Sequence, residues 1–210
     1  MKKTYTIIIP SNQPDLIEET KNNLTTIGEN YVVKDGTGYP SFSKLINDSV
    51  IECPTEIVII CNDRARPTKN DIERTLKLID EGFGFVGLYA WGFFGFKKEL
   101  FRSVGFMDER FIGGNYEDSD YMRRMLEANI AMYNVFEISY REDIKSRWDT
   151  SRTRSHFLKK WNEVNGYVKR LLPEENYDYN LGKKTNDTFL TWDKSILGSS
   201  QDFVKSIIIK

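Results

Sequence analysis

The chain is short of the residues that mark several large protein classes. Its two cysteines, Cys53 and Cys61, lie in or beside one apolar segment, so a disulfide framework is excluded and a reduced, buried role is expected for each. That usage points to an intracellular, cytoplasmic setting. No apolar run approaches the roughly 18 residues a membrane span requires; YTIIIP at 5–10 and EIVIICN at 56–62 are only strand-sized. Neither sign of charge is in surplus: 30 Lys and Arg stand against 31 Asp and Glu, for a net charge of -1, which argues against electrostatic binding of nucleic acid. The opening MKKTYTIIIPSNQ has two lysines ahead of apolar residues. Pro10 interrupts the run and no small-residue cleavage site follows, so the segment reads as a first strand and not a signal peptide. Internal repeats and low-complexity stretches are missing too.

What is present suits one substantial core. With 210 residues and 40% hydrophobic content, the chain falls in the single-domain range. Strand patterns at 4–11, 30–36 and 55–63 alternate with helical patterns at 14–28 and 39–52, the first helix carrying Leu16, Ile17, Thr20 and Leu24 at helical spacing. This order predicts an α/β fold with right-handed crossovers and a single, mostly parallel central sheet flanked by helices. A third helix over 68–82 opens on Thr68 with Asp71 three residues later, a capping-box pattern. The aromatic and glycine-rich stretch that follows predicts one strand near Tyr89 to Phe96, a short helix from Lys97, a glycine loop and a helix from about Asp118. Further on, Phe157, Trp161, Val164, Val168 and Leu171 predict an amphipathic helix over 155–172. Residues 173–210 read as a polar, turn-rich extension that packs on the core or leads to a further domain of the same polypeptide.

In open parallel sheets the ligand lies beyond the carboxyl ends of the strands. The polar exits Pro10-Ser11-Asn12, Lys34-Asp35-Gly36 and Asn62-Asp63-Arg64 are therefore expected to converge on one edge. Asp63 alone reads equally as a solvated strand end. The cluster Glu117-Asp118-Ser119-Asp120, after Gly113 and Gly114, reads equally as acids placed in a first helical turn for electrostatic reasons. Taken together, they suggest a site with one carboxylate for a metal and one for proton transfer. A divalent cation neutralises a departing diphosphate, and a carboxylate accepts the proton of an attacking hydroxyl.

The segments IIIPS, VVKDG, NDRARP and FMDERFIGGNYEDSDYMRRM, spread over roughly the first 160 residues, resemble the family 2 glycosyltransferases of the GT-A fold. The resemblance implies a catalytic domain over 1–172, with a nucleotide-binding half to about residue 88 and an acceptor half beyond it. It also implies an inverting, metal-dependent hexosyltransferase with a nucleotide-sugar donor, most readily UDP-linked, and a glycan or glycoconjugate acceptor. Pro10, Ser11 and Asn12 would line the nucleotide pocket, Asp35 would contact the base, and Asn47 would lie near the diphosphate. Asp63 looks like the metal-binding aspartate of an Asp-x-Asp motif, with Asn62 beside it. His156 looks like the histidine that returns to the cation, Mn²⁺ or Mg²⁺. Asp118 looks like the general base and Glu117 like its acceptor-orienting neighbour. Read from its residues, the arginine-rich segment SRWDTSRTRSH at 146–156 is either a solvated loop or a lid whose Arg147, Arg152 or Arg154 meets the diphosphate by forked hydrogen bonds, with Arg64 and Arg66 as further candidates. The chain departs from the family where Cys61 and Asn62 precede Asp63, and where Lys34 replaces a common aspartate. The NYEDSD region looks somewhat like rhamnosyl- and galactosyl-transferring members. Two other readings stay open: a non-catalytic nucleotide-sugar or carbohydrate-binding module, and a sugar nucleotidyltransferase, whose glycine-rich basic signature the segment after the first strand does not show.

Overall fold

A computed structural model describes residues 4–141 without a break, and then 153, 157, 161–164, 167–170, 189–191 and 207–209. The elements begin with β1 (Tyr5–Ser11), α1 (Pro14–Thr26), β2 (Tyr31–Asp35), α2 (Phe42–Glu52), β3 (Ile57–Cys61), β4 (Ala65–Arg66) and α3 (Lys69–Asp80). They continue with β5 (Phe85–Trp91), β6 (Phe93–Lys97), α4 (Glu99–Val104), α5 (Glu117–Glu127), β7 (Met132–Asn134) and β8 (Ser139–Tyr140). Later come β9 (Trp161–Val164), β10 (Tyr167–Arg170), β11 (Phe189–Thr191) and β12 (Ile207–Ile209).

The central sheet has the order β12-β7-β5-β6-β3-β1-β2. Strands β2, β1, β3, β5 and β7 run one way, and β6 and β12 the other, so the sheet is mostly parallel as expected. Alternate residues of each strand feed opposite cores. Ile8, Val58, Ile60, Phe94 and Phe96 face Ile46 and Val50 of α2, with Phe101 of α4 and Met122 of α5 in the same cluster. Ile7, Ile9, Ile59, Cys61 and Phe93 face the other way, with Leu24 of α1 and Ile72 and Ile79 of α3. Because both faces are covered, β3 is apolar and buried at every residue, which is why the sequence shows a continuous run there and not an alternation. Both cysteines are buried and free, and burial pushes the Cys61 thiol up to about 12, which keeps it unreactive. Helix α3 carries the expected capping box, Thr68 accepting from the Asp71 N–H while Asp71 accepts from the Thr68 N–H. Among the described residues no helix is long and apolar enough to cross a membrane.

Two expected elements differ. The single strand near Tyr89 to Phe96 is instead the hairpin β5–β6, with Tyr89 paired to Phe93. Its turn contains none of the usual polar signals. Ala90 adopts φ 44° and the Gly92 N–H bonds the Tyr89 carbonyl at 2.7 Å, so the reversal is written in backbone geometry within an apolar run. The expected amphipathic helix over 155–172 is interrupted by β9 and β10, an antiparallel pair in which Val164 is paired with Tyr167. Asn165 and Gly166 separate the two strands, and Asn-Gly is the strongest two-residue hairpin signal; it outweighs a helical spacing of apolar residues.

Gly87 of β5 shows how tightly the hairpin packs. A Cβ there would come within 2.7 Å of the Ala90 carbonyl oxygen and would also meet the Asn134 side chain. Gly87→Ala is expected to lower the unfolding free energy by about 1–3 kcal/mol through overpacking, read as a lower urea midpoint with an unchanged slope.

Candidate active site

The carboxyl edge gathers its polar groups because β1 and β3 beneath it are almost wholly apolar. Ser11 ends β1, and its hydroxyl accepts the Gln13 N–H at 2.9 Å while donating to the Asp63 carboxylate. Asp63 follows β3 and is buried. Its carbonyl accepts from Thr20 at 2.6 Å and from the Arg66 guanidinium at 2.9 Å, and Arg66 also bonds the Ala65 carbonyl and Glu19. Arg66 therefore braces the 63–65 backbone from behind and does not line the cavity. Asn62 accepts the Arg64 N–H through its side chain, and the Arg64 guanidinium lies 5.1 Å from the centre of the Tyr140 ring. Asp35 pairs in register with Ser11 at the end of β2 but stands exposed, outside the cavity lining. The Thr37 N–H holds the Asp35 carboxyl below the usual carboxylate range.

The acidic motif is delivered by a stapled segment. Asn47 donates to the Met107 carbonyl at 2.9 Å and to Glu109 at 3.0 Å, and it accepts the Met107 N–H at 3.0 Å. The sequence placed Asn47 near the diphosphate; the structure instead commits its amide to holding Met107, and it does not line the cavity. Tyr121 donates to the Gly105 carbonyl and Arg124 to the Phe106 carbonyl, at 2.8 and 2.7 Å. Gly113 bridges Pro40 and Phe42 through its N–H and carbonyl. The chain then passes through Asn115 and Tyr116, both left-handed at φ 80° and 68°, and turns into α5. Such residues cost on the order of 1 kcal/mol each and persist where their surroundings over-determine them.

The turn splits the acidic cluster. Asp120 faces inward and pairs with Arg124 at 3.1 Å, both buried. Glu117 and Asp118 line the cavity. Glu117 is only 7% exposed, and its Oε2 has no hydrogen-bond partner among the described residues. Burial, then the neighbouring Asp118 charge, pushes the Glu117 carboxyl well above the usual range. Asp118 is half-buried and accepts the Ser119 N–H at 2.7 Å; burial raises its carboxyl as well.

Between these ends lies a cavity of about 400 Å³ that joins Pro10, Ser11, Asn12, Asn62, Asp63 and Arg64 to Glu117 and Asp118. Its wall also includes Gln13, Tyr89, Trp91, Met107, Phe136 and Tyr140. Phe136 and Tyr140 reach the site through the parallel pairing of β7 with β5 and the antiparallel pairing of β8 with β4, which leave no local mark in the sequence. His156, Arg147, Arg152 and Arg154 lie outside the described residues. Next to them, the Phe157 ring lies 5.3 Å from the Tyr116 ring and 5.0 Å from the Arg123 guanidinium. Among the described residues no group of three or more His, Cys, Asp and Glu side chains is disposed to hold a metal ion.

No protein-family model matches the sequence, and no curated protein matches it. Solved structures do. Glucosyl-3-phosphoglycerate synthase from Mycobacterium tuberculosis, in complex with Mn²⁺, UDP and phosphoglyceric acid, is similar over 91% of this chain and 87% of its own, with TM-score 0.54 and 14% identity. The mannosyltransferase PcManGT from Pyrobaculum calidifontis, in complex with GDP-Man and Mn²⁺, is similar over 68% of this chain and 57% of its own, with TM-score 0.53 and 16% identity. The catalytic domain of Drosophila beta1,4galactosyltransferase 7, in complex with xylobiose, covers 73% of each chain, with TM-score 0.52 and 13% identity. From the strand order, the covered faces and these likenesses, the fold of this chain is the GT-A fold of nucleotide-sugar glycosyltransferases.

Proposed function

We propose that the protein is an inverting glycosyltransferase that moves a hexosyl group from a nucleoside-diphosphate sugar, UDP-linked, to a hydroxyl of a glycan acceptor. One observation carries this reading: Asp63 at the end of β3 and the Glu117–Asp118 pair at the start of α5 open onto the same cavity from its two sides. The likeness to sugar-transferring enzymes supports it. On this reading the base lies by Asp35 and the diphosphate crosses Pro10, Ser11 and Asn12 toward Asp63 and Arg64. Arg154, from the arginine-rich segment at 146–156, is a further diphosphate contact on this reading.

The donor set on the diphosphate side is one hard carboxylate, Asp63, with His156 added by the sequence resemblance. This suits a cation that takes its other ligands from phosphate oxygens and water, Mn²⁺ or Mg²⁺. When bound, it would neutralise charge on the leaving diphosphate. Everything else falls to side chains. Ser11 fixes the Asp63 carboxylate, and Arg66 fixes its main chain. Asp118 takes the acceptor hydroxyl proton as that oxygen bonds the anomeric carbon; the bond from carbon to the phosphate oxygen breaks, and the configuration inverts. A raised carboxyl makes Asp118 a stronger base than an exposed aspartate. Glu117 keeps its proton to a higher pH than an ordinary carboxyl and orients the acceptor without adding a second negative charge.

Release of nucleoside diphosphate from UDP-, GDP- and dTDP-sugars, with and without Mn²⁺, tests the reading. Turnover of one donor is expected, reduced about 10²–10⁴-fold in Asp118→Asn and abolished in Asp63→Ala, with His156→Ala weakening the metal response. Nucleotide binding with no turnover of any donor would replace the enzyme with a binding module.

The buried acidic pair also fixes a stability profile. Because the Glu117 carboxyl is raised on folding, its favourable contribution is present in acid and is lost as pH climbs from the usual carboxylate range through the raised value. The neighbouring Asp118 carboxyl is raised too and adds to the effect, so the parent is expected to lose stability steadily over that window. Glu117→Gln should flatten the loss and melt higher than the parent at pH 8; an identical profile for the two proteins in thermal melts would contradict the buried, raised carboxyl.

A further inference from the structure

Five large apolar side chains are exposed among the described residues, Val32, Val33, Ile51, Ile112 and Phe136, and of these only Phe136 lines the cavity. It is 45% exposed. Leaving that much phenyl surface in water forgoes on the order of 1 kcal/mol of burial. The position is nonetheless rigid. On either side of Phe136, Val135 donates to the Gly87 carbonyl at 2.8 Å and accepts from Ala90 at 2.9 Å, and Glu137 donates to the Leu88 carbonyl at 2.8 Å. The Phe136 ring meets Tyr89 edge to face at 5.1 Å and 82°, Tyr89 stacks on Tyr140 at 4.1 Å and 9°, and the Arg64 guanidinium covers Tyr140. Gly92 permits that stack, because a Cβ there would come within 2.5 Å of the Tyr140 ring.

A phenyl ring offers a ligand no hydrogen bond, so whatever covers it must present an apolar face. The same cavity carries the Glu117 and Asp118 carboxyl groups, which hydrogen-bond hydroxyls. A ligand apolar on one face and hydroxylated at its edge is a pyranose. Strand order says which pyranose. Asp35 and Ser11, on the nucleotide side, end β2 and β1 at one margin of the sheet; Phe136 follows β7 toward the other, with β3 and Asp63 between. We infer that Phe136 is a specificity-determining residue of the acceptor subsite, with the apolar face of the acceptor pyranose packed on its ring; the word acceptor rests on the transferase reading above.

The test uses the full chain with UDP bound and a panel of methyl glycosides of glucose, galactose, mannose, rhamnose and xylose, followed by saturation-transfer NMR. The parent should saturate the ring protons of at least one glycoside. Phe136→Ala should weaken that glycoside about tenfold, the equivalent of 1.4 kcal/mol, while Phe136→Trp stays within about threefold, since either aromatic face can stack. UDP affinity by calorimetry and the melting temperature should be unchanged in both variants. An unchanged glycoside affinity in Phe136→Ala, a parallel loss of UDP affinity, or no glycoside bound by the parent would each overturn the inference. Phe136-dependent glycoside binding without turnover of any donor would remove the transferase reading and leave Phe136 a carbohydrate platform. Donor turnover with an acceptor KM indifferent to Phe136 would do the reverse.

Discussion

Covering both faces of the central sheet forces β1 and β3 to be apolar almost from end to end, so the first polar side chains after them are pushed to the carboxyl edge together. The parallel register of β1 with both neighbours then decides who meets whom. Ser11 lies level with Asp35 on one side, and its hydroxyl reaches Asp63, just past β3, on the other. The strand-end half of the cavity follows from that one constraint. An apolar strand cannot place a carboxylate midway without burying an unpaired charge, at a cost far above the marginal stability of a domain.

The half at the start of α5 is built differently. The path from Gly105 to Tyr116 belongs to no regular element, and two left-handed residues raise its energy. Side chains from α2 and α5 hold it: Asn47 closes on both main-chain groups of Met107, while Tyr121 and Arg124 take the carbonyls of Gly105 and Phe106. Each such bond satisfies a group that would otherwise be buried unpaired, worth about 1–3 kcal/mol. Together they are on a scale that offsets the strain at Asn115 and Tyr116. Loop and helix thus act as one body, and the acids at the start of α5 are aimed by residues that never touch the cavity.

Those two modes of construction explain what could be read in the sequence. The strand-end polar residues at 10–12 and 62–64 and the acids at 117–118 were legible, since apolar runs and a glycine pair ahead of a helix are local patterns. The capping box at Thr68 was legible for the same reason. Asn47 was visible as a polar residue in a helix, but its partner lies sixty residues on, so its structural role was not. The β5–β6 reversal hid in an apolar run because Ala90 supplies a positive φ that composition does not announce. Phe136 was invisible as a site residue: an isolated phenylalanine in a short strand-like stretch reads as core until β7 is known to pair with β5.

The inward pairing of Asp120 with Arg124 has a consequence for how this architecture can change. It fastens α5 to the loop at 104–106 through groups that do not line the cavity, so the cavity-lining positions 117 and 118 carry none of that fastening. The helix is a mount and the two cavity-lining side chains are fittings. Different side chains can be tried at these two positions while the pairing that fastens the helix stays in place, which makes this helix start a natural place for evolution or engineering to exchange one cavity chemistry for another.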